Sequence, residues 1–194
     1  AFAVGGLLAV AGAMMQVLLR NPLADPYVLG LSGGAACGAL AALLIGAAAL
    51  VTPAALVGAG VSTLLVFGLA RGSGTWAPTR LLLTGIVVAA GWGALIMLML
   101  AVAPDAQVRG MLFWLIGDLS GATHGVGALG ALAVVLALAL PFARDATLLA
   151  RGEATAATLG VPVRTVTFAL HALAAAATAV AVTVAGSVGF VGLV

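Results

Sequence analysis

Apolar residues run through this chain in long blocks, and charged residues punctuate them in short clusters. The clusters are Arg20 and Asp25; Arg71 and Arg80; Asp105, Arg109 and Asp118; then Arg144, Asp145, Arg151, Glu153 and Arg164. A helix needs about 20 mostly apolar residues to cross a bilayer. The block from Ala1 to Leu19 supplies one span. Pro26 to Ala70 is long enough for two, with Thr52-Pro53 as the expected break. Leu81–Ala103, about Thr123–Phe142 and Val166–Gly186 supply three more. Barrel strands would alternate polar and apolar residues, and these blocks do not alternate. The pattern predicts an all-α, polytopic transmembrane bundle with six spans.

Composition narrows the class further. The 194 residues are 64% hydrophobic and 6% charged, with mean hydropathy +1.33. A soluble domain carries about 25% charged residues, and disorder needs low hydrophobicity. Both are excluded. Every basic residue is Arg, and the net charge of +2 is too small and scattered for a nucleic-acid footprint. The single cysteine, Cys37, excludes an internal disulfide framework and a cysteine-based zinc site. The sequence begins at Ala1 and stops at Val194, each inside an apolar run, so a fragment of a longer protein is expected.

Arginine placement gives the orientation. With six crossings, Arg20, Arg71, Arg80, Arg144, Arg151 and Arg164 share one side and Arg109 lies on the other. The positive-inside rule makes the arginine-rich side cytoplasmic. Small residues recur every fourth position at Gly30, Gly34, Gly38, Ala42 and Gly46, and again at Gly5, Ala9 and Ala13. Such stripes let helix backbones approach in lipid, so they are read as packing surfaces.

Three connecting segments carry more content than a hairpin needs. RNPLADP, from Arg20 to Pro26, contains two prolines that fix a rigid turn, with Asp25 placed to offset Arg20. On the outer side, Arg109 to Leu119 is too short to span and too apolar for water. A short interfacial or re-entrant helix is expected there, with Trp114 at headgroup depth and Gly117, Gly121 and Gly125 allowing bends. It reads equally as a gate or an interface anchor. On the inner side, Gly152 and Gly160 bracket a short helical stretch, Glu153 to Leu159. That stretch reads as a docking element for a soluble partner or as a helix lying on the bilayer.

Coupling chemistry is sparse. No charge falls mid-span, which argues against a proton-coupled secondary transporter. Without lysine the chain cannot form a P-loop, so uphill transport would need a separate ATPase. Gln16 is read as an interhelical hydrogen-bonding residue. His171 alone is weak evidence for a metal or haem ligand, and His124 is placed at the interface. Gly30-Leu31-Ser32-Gly33-Gly34 matches G-x-S-x-G, and Ser32 and His171 fall at comparable depth. An intramembrane serine protease is therefore an alternative, although the motif's strand-turn-helix context is missing.

Together these segments resemble the FecCD-type permeases, the membrane subunits of ABC importers for iron-siderophores, haem and cobalamin (BtuC-like proteins). The resemblance rests on GAMMQVLLRNPLADPYVLGLSGGAACGAL (Gly12 to Leu40), with Gln16, Arg20, Asn21, Pro22, Leu23, Ala24, Pro26 and Gly30. It continues through LLLTGIVVAAGWGAL (Leu81 to Leu95), RGMLFWLIGDLSGA (Arg109 to Ala122), GEATAATLGVPV (Gly152 to Val163) and VAGSVGFVGLV (Val184 to Val194). It implies a ten-span subunit, of which residues 1–194, a single permease domain cut at both ends, hold spans two to seven and the start of the eighth. It also implies that Arg151, Gly152, Glu153, Ala156, Leu159 and Gly160 form an ATPase-coupling loop. Arg109, Trp114 and Gly117 would belong to a periplasmic gate, and Leu81 to Ala101 would line the path. The implied partners are a second permease subunit, as a homodimer, two ATP-binding subunits, a periplasmic or lipid-anchored substrate-binding protein and the bilayer of a bacterial or archaeal inner membrane. No catalytic residue, cofactor, metal or nucleic acid is expected.

Overall fold

A computed structural model of the chain describes residues 1–70, 78–117, 119 and 125–187. Arg71, Asp118, His124, Gly121 and residues 188–194 lie outside the described residues. The described residues are helical throughout their regular structure. The helices are α1 (Phe2–Leu19), α2 (Leu31–Leu44), α3 (Val51–Ala70), α4 (Pro78–Val102), α5 (Asp105–Ile116), α6 (Gly125–Ala139), α7 (Ala143–Ala150), α8 (Glu153–Thr158) and α9 (Val163–Ala185). Short 3-10 turns cover Pro26–Leu29, Ala48–Leu50 and Leu140–Phe142.

The core is built on α1 and α9. Leu7, Leu8 and Met15 of α1 are sealed against Val166, Leu170, Ala174 and Ala177 of α9. Alanines dominate the α9 face, so the helices come close and gain dispersion contact along their length. The opposite face of α1 is different: Ala9 and Ala13 are exposed, and nothing lies within 4 Å of a Cβ built on Gly5. The stripe expected to pack there faces outward instead, because α1 turns its larger side chains inward.

The second stripe packs in part: Gly34 and Gly38 lie against α3, whereas Gly46, exposed beyond the end of α2, has nothing within 4 Å of a Cβ built on it. A Cβ on Gly34 would strike the Gly58 carbonyl and come within 2.6 Å of the Ser62 Cβ, while one on Gly38 would strike the Ala54 carbonyl. These are backbone-to-backbone approaches between α2 and α3, which only glycine permits.

Among the described residues, five helical segments are long and apolar enough to cross a membrane: Phe2–Leu19, Ala48–Ala70, Thr79–Val102, Gly125–Ala150 and Val163–Ala185. The remaining expected span takes another form. Pro26 to Leu44 divides into a 3-10 turn and the 14-residue α2, broken at Gly30 (φ 71°). At ~1.5 Å per residue, α2 alone covers about 21 Å, short of a ~30 Å hydrocarbon core. The α2–α3 connection turns at Ile45–Ala47, ahead of the expected Thr52-Pro53 break. Pro53 instead occupies the first turn of α3, where its missing N–H costs nothing. On the inner side, α6 continues past Phe142 through a 3-10 turn at Pro141 into α7. Residues 143–150 are good helix formers, so the helix outlasts its apolar block.

Candidate functional site

The arginine-rich end is assembled from two connections. The first follows α1. Arg20 closes the helix in the left-handed region (φ 48°, ψ 39°), and it is the single non-glycine with positive φ among the described residues. Its N–H reaches the Val17 carbonyl, and the Asn21 N–H reaches the Gln16 carbonyl. The half-buried Gln16 therefore contributes its backbone to the helix end. Pro22 and Leu23 occupy the corners of a turn closed by the Ala24 N–H on the Asn21 carbonyl at 3.0 Å. The Asn21 Oδ1 accepts from the Leu23 N–H at 2.9 Å. Leu23 points into solvent, while Ala24 is buried in the main core.

Asp25 does not offset Arg20. It is buried, and its Oδ1 accepts the Tyr27 N–H at 2.7 Å, capping the 3-10 turn that Pro26 begins. Arg20 instead crosses to the second connection, where its guanidinium lies 3.8 Å from the Glu153 carboxylate. A short polar side chain next to a helix start satisfies orphan N–H groups, which explains why Asp25 turns inward.

The second connection is the α7–α8–α9 segment. Arg151 ends α7, and Gly152 (φ 119°) redirects the chain into α8. The Gly152 carbonyl accepts the Ala156 N–H at 2.9 Å. Glu153 sits in the first turn of α8, where negative charge complements the helix end. Ala156 is fully buried in the main core, whereas Ala154, Thr155, Ala157, Thr158, Leu159 and Gly160 are exposed. Gly160 (φ 83°) turns the chain so that Val161 is buried and Pro162 caps α9. The segment thus offers an exposed ridge attached to the bundle through Ala156 and Glu153. Arg144, Arg151 and Arg164 are exposed around it.

The opposite end carries α5. It begins after Pro104, four residues earlier than the stretch expected from the sequence. Met111 is fully buried, and Trp114 packs on a small cluster that includes Ala35, Ala39, Ala179 and Val182. Arg109, Leu112, Phe113 and Ile116 are exposed. Gly117 (φ 79°) meets Gly186 (φ 73°) at the end of α9: a Cβ on Gly186 would come within 2.6 Å of the Trp114 carbonyl and 2.7 Å of the Gly117 Cα. A cleft of about 350 Å³ opens between α5, α3 and α9, lined by Thr52, Gly110, Trp114, Thr183 and Gly186. Arg109 therefore lies at the opposite end of α9 from Glu153, separated by 23 helical residues or about 35 Å.

Between the two ends runs a polar contact that the sequence analysis missed. The Trp92 Nε1–H donates to the Ser62 Oγ at 2.9 Å, and the Ser62 hydroxyl donates to the Gly30 carbonyl at 2.8 Å. One chain of hydrogen bonds thereby joins α4, α3 and the helix break. Two signals for it were present. Ser62 follows Gly58 at small-xxx-small spacing, and Trp92 sits mid-span rather than at an interface, where its N–H needs a partner.

The Ser32–His171 pairing does not form. Among the described residues neither His171 nitrogen has a hydrogen-bond partner, and the buried ring stands edge-on to Phe67 at 4.2 Å.

The whole chain, residues 1–194, matches the description "FecCD transport family". The cobalamin import system permease protein BtuC of Halobacterium salinarum is 40% identical over 98% of this chain and 53% of its own length. The Fe(3+) dicitrate transport system permease protein FecD of Escherichia coli K12 is 36% identical, over 98% of this chain and 60% of its own length. A solved structure, described as an inward-facing conformation of a metal-chelate type ABC transporter, superposes with a TM-score of 0.90 at 25% identity. It covers 99% of this chain and 62% of the solved one. This chain thus spans little more than half the length of these relatives. Its fold and the match along residues 1–194 agree: the chain belongs to the FecCD transport family.

Proposed function

We propose that the full-length protein is a permease subunit of an ATP-driven importer, carrying a metal chelate or a corrinoid across a bacterial or archaeal inner membrane. It would act as one of two permeases, with two ATP-binding subunits beneath and a substrate-binding protein outside. One observation carries this reading. α8 is a short, exposed ridge at the arginine-rich end, held by a single buried alanine and one ion pair, as a docking element for a soluble protein requires. The relatives named for cobalamin and ferric dicitrate import support the cargo class.

In this reading the ATPase docks on Arg151, Gly152, Glu153, Leu159 and Gly160, and Ala156 anchors the ridge. Nucleotide-driven closure moves α8, and rigid helices carry the movement toward the outer end. α5, with Arg109, Trp114 and Gly117, acts as the outer gate. α4 supplies a pathway wall, consistent with its mostly exposed surface. A large cargo passes such a weakly interacting wall without being trapped.

The test uses the full-length permease reconstituted with its ATPase and binding protein. Glu153→Arg reverses the charge at the α8 start. Gly160→Pro demands φ near −65° where the backbone holds 83°. Each should leave membrane insertion intact and abolish ATP-dependent uptake. Normal uptake by both variants would sink the docking assignment.

A further inference from the structure

Arg20 occupies a backbone position for which arginine is poorly suited. A helix that ends in the left-handed region ordinarily uses glycine or asparagine there, because a Cβ crowds the following carbonyl. The hydrogen bonds of this cap all come from backbone N–H groups, of Arg20 and of Asn21. Glycine would make them equally well, so the cap itself does not ask for arginine. A charge that only sets membrane orientation also needs no particular φ and no partner. This guanidinium has both: a strained backbone directs it, and it meets Glu153 on another cytoplasmic connection.

The pair is half-exposed on both sides and 3.8 Å long. Exposed pairs of this kind contribute little to stability and are readily broken. Its position gives it another use. α8 touches the bundle through few groups, with Ala156 its single buried residue. Glu153 ties the start of that ridge to the end of α1. From Arg20 the rigid Asn21–Ala24 turn leads to the Asp25-capped 3-10 turn and then to the break at Gly30. The Gly30 carbonyl is held by Ser62, which in turn is held by Trp92 of α4. A breakable contact at the water-exposed end therefore leads, through a stiff turn, to a buried and fully bonded one.

We infer that Arg20 is a positioning residue for α8: its ion pair with Glu153 sets where the docking ridge sits on the α1–α2 turn, and so passes movement of the ridge to the helix break at Gly30. This deepens the permease reading and rests on it.

The discriminating variant is Arg20→Gly in the full-length permease, assembled with its ATPase and binding protein. Glycine suits the left-handed backbone, so the thermal midpoint should not fall below that of the parent. Uptake per ATP hydrolysed should fall by roughly three- to tenfold. Arg20→Glu, which sets two carboxylates side by side, should lower it further. An Arg20→Gly protein as well coupled as its parent would overturn the inference. That result leaves the permease reading standing. A parent protein whose uptake ignores ATP would overturn both.

Discussion

Single residues in this chain are most informative where they break a local habit. Arg20 accepts a backbone conformation that costs a non-glycine residue about 1 kcal/mol or more. Ser62 and Trp92 place polar groups inside an apolar bundle and satisfy them with each other and with Gly30. Removing one partner of a buried pair costs more than the bond contributes, because the other is left without a partner. Ser62→Ala should therefore destabilise the full-length protein by about 1–3 kcal/mol, read as a lower midpoint in detergent. Trp92→Phe removes the donor but leaves the Ser62 hydroxyl its bond to Gly30, so it should cost less than Ser62→Ala. Equal losses would mean that the ring's bulk, rather than the hydrogen bond, is what matters.

At the scale of elements, the α2–α3 crossing is the tightest contact and α2 the least regular span. Gly34→Leu would drive a side chain into the α3 backbone around Gly58. It should cost about 3 kcal/mol, near the upper end for overpacking, whereas leucine at Gly60, where nothing lies within 4 Å, should be neutral. Thermal midpoints of the two variants test the contrast. The stripe at Gly34 and Gly38 was legible because a four-residue spacing is local information. The stripe at Gly5, Ala9 and Ala13 had the same spacing, yet it faces outward. Spacing shows that a face is smooth; only the competing bulk of Leu7, Leu8 and Met15 decides which face turns in. The helical stretch at Glu153 was legible between its two glycines. The Arg20–Glu153 pair was not, since it joins connections far apart in sequence and the nearby Asp25 offered a plausible local partner. The break at Gly30 was hidden for a similar reason: an apolar block long enough to span reads as continuous until a positive φ interrupts it.

At the scale of the whole molecule, polarity is distributed by end. Arg20, Glu153, Arg144, Arg151 and Arg164 gather near α8, and Arg109 stands at α5 beyond the far end of α9. The orientation read from arginine placement depends on this segregation, although Arg71 falls outside the described residues. The middle belongs to α4, where Val87 and Met97 are each more than two-thirds exposed. If α4 walls an aqueous path, cysteines placed at its pathway positions should react with a membrane-impermeant maleimide, and added cargo should slow the reaction. A scan from Leu83 to Leu98 should show reactive positions three or four apart on one face. Uniform inertness along the helix would assign α4 to lipid instead.

The brevity of α2 also bears on how the protein is made. Fourteen residues with three internal glycines form a weak insertion signal, whereas the apolar segment from Ala48 to Ala70 is a strong one. Two of the glycines that weaken that signal, Gly34 and Gly38, are the ones that let α3 lie directly against α2. We therefore expect α2 to gain a secure place in the bilayer only once α3 has emerged, the two entering as a hairpin rather than one after the other. A substitution at Gly34 or Gly38 would then act before folding is complete, by leaving a short helix to enter the membrane without its companion.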